Sequence, residues 1–211
     1  MADELILYTN PQSRGRIARW MLEEIGQPYK TEILDYAGTM KAPAYLAINP
    51  MGKVPALRHG DAVVTETAAI CAYLADAFPQ ARLAPPPGHR SRAPYYRWLF
   101  FGAGPVEAAV SNKALGVTVP KERERMMGYG NIDLVLAALE QAVSRADYLV
   151  GDSFTAADVY VGSQIGFGMM FGGIEKRPAF ERYWQRINSR AACVRAKQLD
   201  NALVAAQKAA S

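Results

Sequence analysis

The chain has 211 residues, 50% of them hydrophobic and 21% charged, a balance that suits a globular protein of one large domain or two modest ones. The net charge is only +4 and the basic residues form no run, so no nucleic-acid stripe is expected. Two cysteines far apart, Cys71 and Cys193, and two histidines argue against a disulfide framework and a zinc or other metal site, so a reducing, cytoplasmic compartment is expected.

The start, Met1-Ala2-Asp3-Glu4, is acidic and lacks the basic n-region and cleavage site of a signal peptide. No stretch approaches eighteen uninterrupted apolar residues, so no membrane span is expected. Glu4 to Thr9 is a short apolar run that reads as a buried strand, broken by Asn10-Pro11-Gln12-Ser13. From Arg14 to Ile25, Ile17, Ala18, Met21, Leu22 and Ile25 recur at helical spacing, and Gly26 and Pro28 stop the helix. Tyr29 to Leu34 alternates as a second strand, which makes a βαβ unit with parallel strands. Lys41 to Ile48 reads as a short helix before Asn49-Pro50. Gly60-Asp61 reads as a hairpin turn between Ala56-Leu57-Arg58 and Val63-Val64-Thr65, and Glu66 to Phe78 as a further helix.

Ala84-Pro85-Pro86-Pro87-Gly88 is the strongest boundary signal, because three prolines favour an extended linker. The pattern therefore divides into a first domain over 1–80, a linker over 81–90 and an all-helical domain over 91–211. Helices are expected over Ser91 to Leu115, Lys121 to Arg145, Thr155 to Met170, Pro178 to Asn188 and Ala191 to Ala206.

Three places in the first domain carry chemistry. Ser13 stands at the strand-to-helix junction, where it either caps the helix or donates its hydroxyl proton to a bound sulfur anion. The helix end and the neighbouring Arg14 and Arg16 favour negative charge there. Lowering a thiol pKa of about 8.5 by about two units needs roughly 2.7 kcal/mol. One charge-assisted hydrogen bond supplies about 1.5–3 kcal/mol. In Gly52-Lys53-Val54-Pro55, Pro55 is either an ordinary loop proline or part of a cis turn. A cis turn would leave the Val54 N–H and C=O facing a peptide as an added strand would. Glu66-Thr67 opens a helix, either as a simple capping turn or as a cradle for an amino-acid head group, its N–H groups for the carboxylate and Glu66 for the ammonium.

A βαβ–α–ββα domain with Lys53-Val54-Pro55 before its third strand and Glu66-Thr67 opening its third helix resembles the thioredoxin-like domain of the glutathione S-transferase superfamily. The helical remainder, with Ser153-Phe154-Thr155-Ala156-Ala157-Asp158, resembles that superfamily's second domain. The resemblance implies an α/β domain with a mixed four-stranded sheet plus an all-α domain, and glutathione as co-substrate with no metal. It implies that Val54 and Pro55 present the cysteinyl contact, that Glu66 and Thr67 hold the γ-glutamyl end, and that Lys53 pairs with the glycyl carboxylate. Ser13 falls where theta- and zeta-like members carry their thiolate-stabilising serine, and Leu22 to Tyr29 is similar to bacterial members. Tyr8 lies where tyrosine-using classes keep their donor, and Thr9, Asn10 or a backbone N–H are further alternatives. No cysteine occurs between Thr9 and Arg16, unlike the cysteine-using classes.

Thr155-x-x-Asp158 is a capping-box variant with a structural role. Of the aromatic cluster Tyr95, Tyr96, Trp98, Phe100 and Phe101, one or two are expected to face an electrophile pocket, with Tyr95 and Trp98 as candidates. Met170, between Met169 and Phe171 and flanked by glycines, is a second candidate wall. Cys71 and Cys193 read as inert packing residues. The implied activity is conjugation of glutathione to a small hydrophobic electrophile by a homodimer. The alternatives are a glutathione-dependent disulfide or peroxide reductase, favoured by Thr9-Asn10, and a non-catalytic binding module.

Overall fold

The computed structural model describes residues 3–209. Met1 and Ala2, the first residues of the acidic start, and Ala210 and Ser211 lie outside the described residues. The chain divides into two compact units, one formed up to Ala81 together with the chain from Ser189 on, the other formed by Arg82–Asn188.

The first unit is built on a four-stranded sheet of order β2-β1-β3-β4, from β1 (Leu5–Thr9), β2 (Lys30–Ile33), β3 (Ala56–His59) and β4 (Ala62–Thr65). β1 pairs parallel with β2 and antiparallel with β3, which pairs antiparallel with β4. β1 is buried along its whole length, as its unbroken apolar run requires. The crossover helix α1 (Gly15–Ile25) buries Ile17, Ala18, Met21, Leu22 and Ile25, the stripe its spacing foretells, and ends on Gly26 in the left-handed conformation. In place of the expected helix over Lys41 to Ile48 there is a 3-10 turn, Thr39–Lys41, and then α2 (Pro43–Leu46), because Pro43 cannot continue a preceding helix. α3 (Thr67–Ala77) follows the hairpin.

The second unit holds α4 (Arg92–Phe101), a π-turn over Gly102–Val106, α5 (Glu107–Ala114), α6 (Ile132–Arg145), α7 (Ala156–Phe171) and α8 (Pro178–Asn188). The expected helix over Lys121 to Arg145 is broken. A 3-10 turn spans Lys121–Met126, Gly130 has φ +66°, and Asn131 caps α6 by accepting the Leu134 N–H at 3.0 Å. α7 is buried over most of its length, up to Met169, and lies close to α8. A Cβ at Gly166 would sit 2.5 Å from the Trp184 ring, and one at Gly162 2.1 Å from Ile187, so only glycine permits the approach. Gly166 and Gly168, near Met170, therefore serve packing.

The last helix, α9 (Ala191–Ala209), was expected in the helical domain over 91–211 but belongs to the first unit, where it packs on α1. A buried ion pair joins the two helices there, Arg19 Nε to Asp200 Oδ1 at 2.8 Å, flanked by Arg190–Glu24 and Arg195–Glu23. None of the described helices is long and apolar enough to cross a membrane.

Candidate functional site

Sheet register decides which loops meet. Tyr8 pairs with Ala56, and Ala56 with Thr65, so these three residues form one row across β1, β3 and β4. The chain leaving β1 at Asn10, the chain entering β3 through Val54-Pro55 and the chain leaving β4 at Glu66 all lie at that one end of the sheet. Adjacent strands are about 4.8 Å apart, so the three places lie within about 10 Å of one another.

At the first place the loop is fastened by Asn10, which is buried. Its Nδ2 donates to the Leu34 carbonyl at 2.8 Å and its Oδ1 accepts the Gln12 N–H at 2.9 Å. Ser13 is half-buried. Its hydroxyl donates to the Asn10 carbonyl at 2.7 Å and accepts the Gly15 N–H at 2.9 Å, so it takes up one of the open donors of α1. Arg16 is held by the Pro11 carbonyl and by Asn201 Oδ1, which keeps its positive charge beside the loop. Thr9 is fully buried. Tyr8 is buried in a small core with Ile6, Leu34, Met40, Tyr45 and Ala56, its ring 5.7 Å from that of Tyr45.

At the second place the Val54–Pro55 peptide is cis. Val54 is half-buried, and among the described residues neither its N–H nor its C=O has a hydrogen-bond partner. The preceding carbonyl, that of Lys53, is bonded twice, by the Tyr45 hydroxyl at 2.5 Å and by Asn49 Nδ2 at 2.8 Å. Lys41 Nζ donates to the Gly52 carbonyl at 2.8 Å, and the Lys53 side chain is exposed beside it. Gly52 has φ +56°, and a Cβ there would come within 3.0 Å of Lys41, Leu46 and the Met40 carbonyl. Lys41, Tyr45 and Asn49 carry no signal of this role in the sequence. Asn49-Pro50 showed a helix end, but nothing in the spacing showed that the Asn49 amide turns back to Lys53.

At the third place Glu66 is exposed and has φ +66° and ψ +121°, which is uncommon for a residue other than glycine. Among the described residues no side chain caps α3, so the N–H groups of its first turn stay open, with Thr67 at their head. The site thus offers a backbone N–H and C=O at Val54 without partners among the described residues, a carboxylate with open helix N–H groups, and a loop with a hydroxyl and cationic neighbours.

The electrophile-wall candidates fare differently. Tyr95 and Trp98 are 0% and 4% exposed, so they offer no surface to a ligand, and the expectation that they line the pocket is corrected. Trp98 packs edge-on against Phe101 at 5.5 Å and lies under Arg97. Met170 is 67% exposed and stays available. Thr155 and Asp158 form the expected capping box, both buried. Cys71 and Cys193 are free and buried, and burial pushes both thiols up, away from the reactive thiolate.

The chain is similar to known proteins over most of its length. Residues 14–77 match the family model for the glutathione S-transferase N-terminal domain, and residues 98–191 that for the C-terminal domain. Glutathione S-transferase GST-4.5 of Xanthomonas campestris pv. campestris is 30% identical over 162 residues, covering 74% of this chain and 78% of the relative. The structure of a glutathione transferase from Methylococcus capsulatus superposes with a TM-score of 0.78 at 27% identity, over 93% of this chain and 98% of the other. That of the glutathione transferase URE2P6 from Phanerochaete chrysosporium, in complex with oxidized glutathione, gives 0.77 at 28% identity, over 94% and 97%.

Proposed function

The chain belongs to the glutathione S-transferase family, and from that premise we propose that it binds glutathione at the sheet end described above, keeps the sulfur as thiolate and adds it to a small hydrophobic electrophile. The observation that carries this reading is the register row Tyr8–Ala56–Thr65, which gathers the three loops. In this reading the unpaired Val54 N–H and C=O take the cysteinyl backbone, as an added strand takes a sheet edge. Glu66 and Thr67 with the open first turn of α3 take the γ-glutamyl ammonium and carboxylate. Lys53, with Lys41 beside it, meets the glycyl carboxylate.

Ser13 supplies the thiolate hydrogen bond. Its proton rests on the Asn10 carbonyl and has only to rotate about the Cβ–Oγ bond to reach a sulfur in front of α1. The helix end and Arg16 add to the stabilisation. The enzyme's contribution is thus positioning and electrostatics, and the sulfur does the bond-making. Of Tyr95, Trp98 and Met170, Met170 is the one with an exposed side chain. The reductase alternative leaned on Thr9 and Asn10, of which one is fully buried and the other engaged at both ends of its amide. The buried free cysteines accord with a reducing cytoplasm, and a two-fold homodimer is the expected assembly.

The test is calorimetric titration with glutathione, followed by ultraviolet titration of the bound thiolate in wild type, Ser13→Ala and Tyr8→Phe. Wild type is expected to bind, Ser13→Ala to raise the bound thiol's pKa by about one to two units, and Tyr8→Phe to leave it in place. An upward shift in Tyr8→Phe alone would move the role to Tyr8, and no binding at millimolar glutathione would remove the reading.

A further inference from the structure

We propose that Tyr45 and Asn49 are positioning residues for glutathione capture: by holding the Lys53 carbonyl inside the fold they aim the Val54 N–H outward, at the ligand's backbone. The inference rests on the glutathione site proposed above and adds the groups that set its geometry.

The argument begins with peptide planarity. In a trans peptide the C=O of one residue and the N–H of the next point in opposite directions. Among the described residues the one cis bond is Val54–Pro55, so the Lys53–Val54 peptide is trans. Fixing the Lys53 oxygen inward therefore fixes the Val54 hydrogen outward. The oxygen has two lone pairs, and the Tyr45 hydroxyl and Asn49 Nδ2 take both. Rotating this peptide would leave two buried donors without an acceptor, since Tyr45 is 3% and Asn49 4% exposed.

Each donor is itself held. Asn49 Oδ1 accepts the Met51 N–H at 3.1 Å, and the Asn49 carbonyl accepts the Gly52 N–H at 2.8 Å, closing the turn before Lys53. Tyr45 is wedged against the Tyr8 ring in the small core. Burial pushes the Tyr45 phenol up to about 12, so it remains a protonated donor throughout the neutral range. The clamp thus presets a backbone donor before any ligand arrives, which spares the ordering cost at binding.

Two variants separate this from a packing role. Tyr45→Phe keeps the ring and removes one donor. Asn49→Asp keeps Oδ1 for Met51 and replaces the other donor with an acceptor that repels the carbonyl. Each is expected to raise the KM for glutathione about three- to tenfold, the size of one lost backbone hydrogen bond, and the double variant more. kcat at saturating glutathione and the pKa of the bound thiol should stay put. In wild type the Val54 amide resonance should shift on adding glutathione, and in the double variant that shift should shrink. The inference is overturned if wild type binds glutathione and folded Tyr45→Phe binds it equally well, or if the loss falls on kcat and the thiol pKa while KM is unchanged. Should Asn49→Asp fail to fold, Tyr45→Phe decides alone. Wild type failing to bind would instead defeat the glutathione reading itself.

Discussion

Glu66 holds a positive-φ backbone conformation that disfavours any side chain, yet it carries a long acidic side chain at the mouth of α3. Strain of this kind amounts to about 1–3 kcal/mol and persists where the surroundings, and often the function, require it. Replacing Glu66 by glycine should relieve the strain and remove the ammonium's partner together. Glu66→Gly is expected to melt at or above the wild-type temperature while its glutathione affinity falls, a pairing that calorimetry and thermal melts would detect. A lower melting temperature with unchanged affinity would show that Glu66 is structural only. Ser13 presents the opposite case. Its residue type and place were legible in the sequence as either a cap or a donor, and in the structure the resting hydroxyl serves the loop. One hydroxyl can do both because its proton rotates about a single bond.

Among the elements, α7 shows how much a cap can carry. The Asp158 carboxylate accepts four hydrogen bonds, from the Thr155 N–H at 2.9 Å, the Thr155 hydroxyl at 3.0 Å, the Leu149 N–H at 2.8 Å and the Tyr183 hydroxyl at 2.8 Å. Burial pushes this carboxyl up, and the four donors hold it back. Two of the donors lie outside the capping box, so Asp158 ties α7 to α8 and to the preceding loop. Asp158→Ala should cost about 3 kcal/mol or more, beyond the roughly 1 kcal/mol of a simple cap. That corresponds to a fall of roughly 6–12 °C in melting temperature, and a fall of under about 2 °C would show that water replaces the carboxylate. The sequence showed the Thr155-x-x-Asp158 spacing but not the reach to Tyr183, which depends on packing. A similar limit applies between α4 and α5. A single helix was expected over Ser91 to Leu115, but Pro105 has no N–H for the ladder. The Glu107 N–H then reaches the Gly102 carbonyl, which also accepts from Gln164 Nε2 at 3.0 Å.

At the scale of the molecule, the first unit is closed by the last stretch of chain. Arg19 on α1 and Asp200 on α9 are almost entirely buried, and Arg19 Nη1 also reaches the Tyr29 hydroxyl and Thr31. Removing one member of a buried pair leaves the other uncompensated, at a cost of about 3–5 kcal/mol. Asp200→Ala is therefore expected to destabilise the protein by about that much, and the double variant Arg19→Met, Asp200→Leu to recover most of the loss. Urea denaturation of the three proteins checks this, and a single variant as stable as the wild type would mean that α9 is held by its apolar contacts alone.

The sequence by itself determined the four strands, the helices that follow them in order, and the long helices of the later chain, though not the 3-10 and π turns that interrupt them. Apolar residues at spacing 2 or 3.6, and glycine and proline as breaks, act within a few residues and are visible in one chain. It also showed the Lys53-Val54-Pro55 and Glu66-Thr67 pieces and the linker prolines. Only the tertiary structure decided that Tyr8, Ala56 and Thr65 share a row, that Tyr95 and Trp98 are sealed, that Asn49 and Tyr45 converge on one carbonyl, and that α9 joins the first unit. The reason is physical. Each of these depends on a contact between residues distant in the chain, set by strand register, by packing or by the pairing of buried charges, and no local period records which distant partner a side chain will meet.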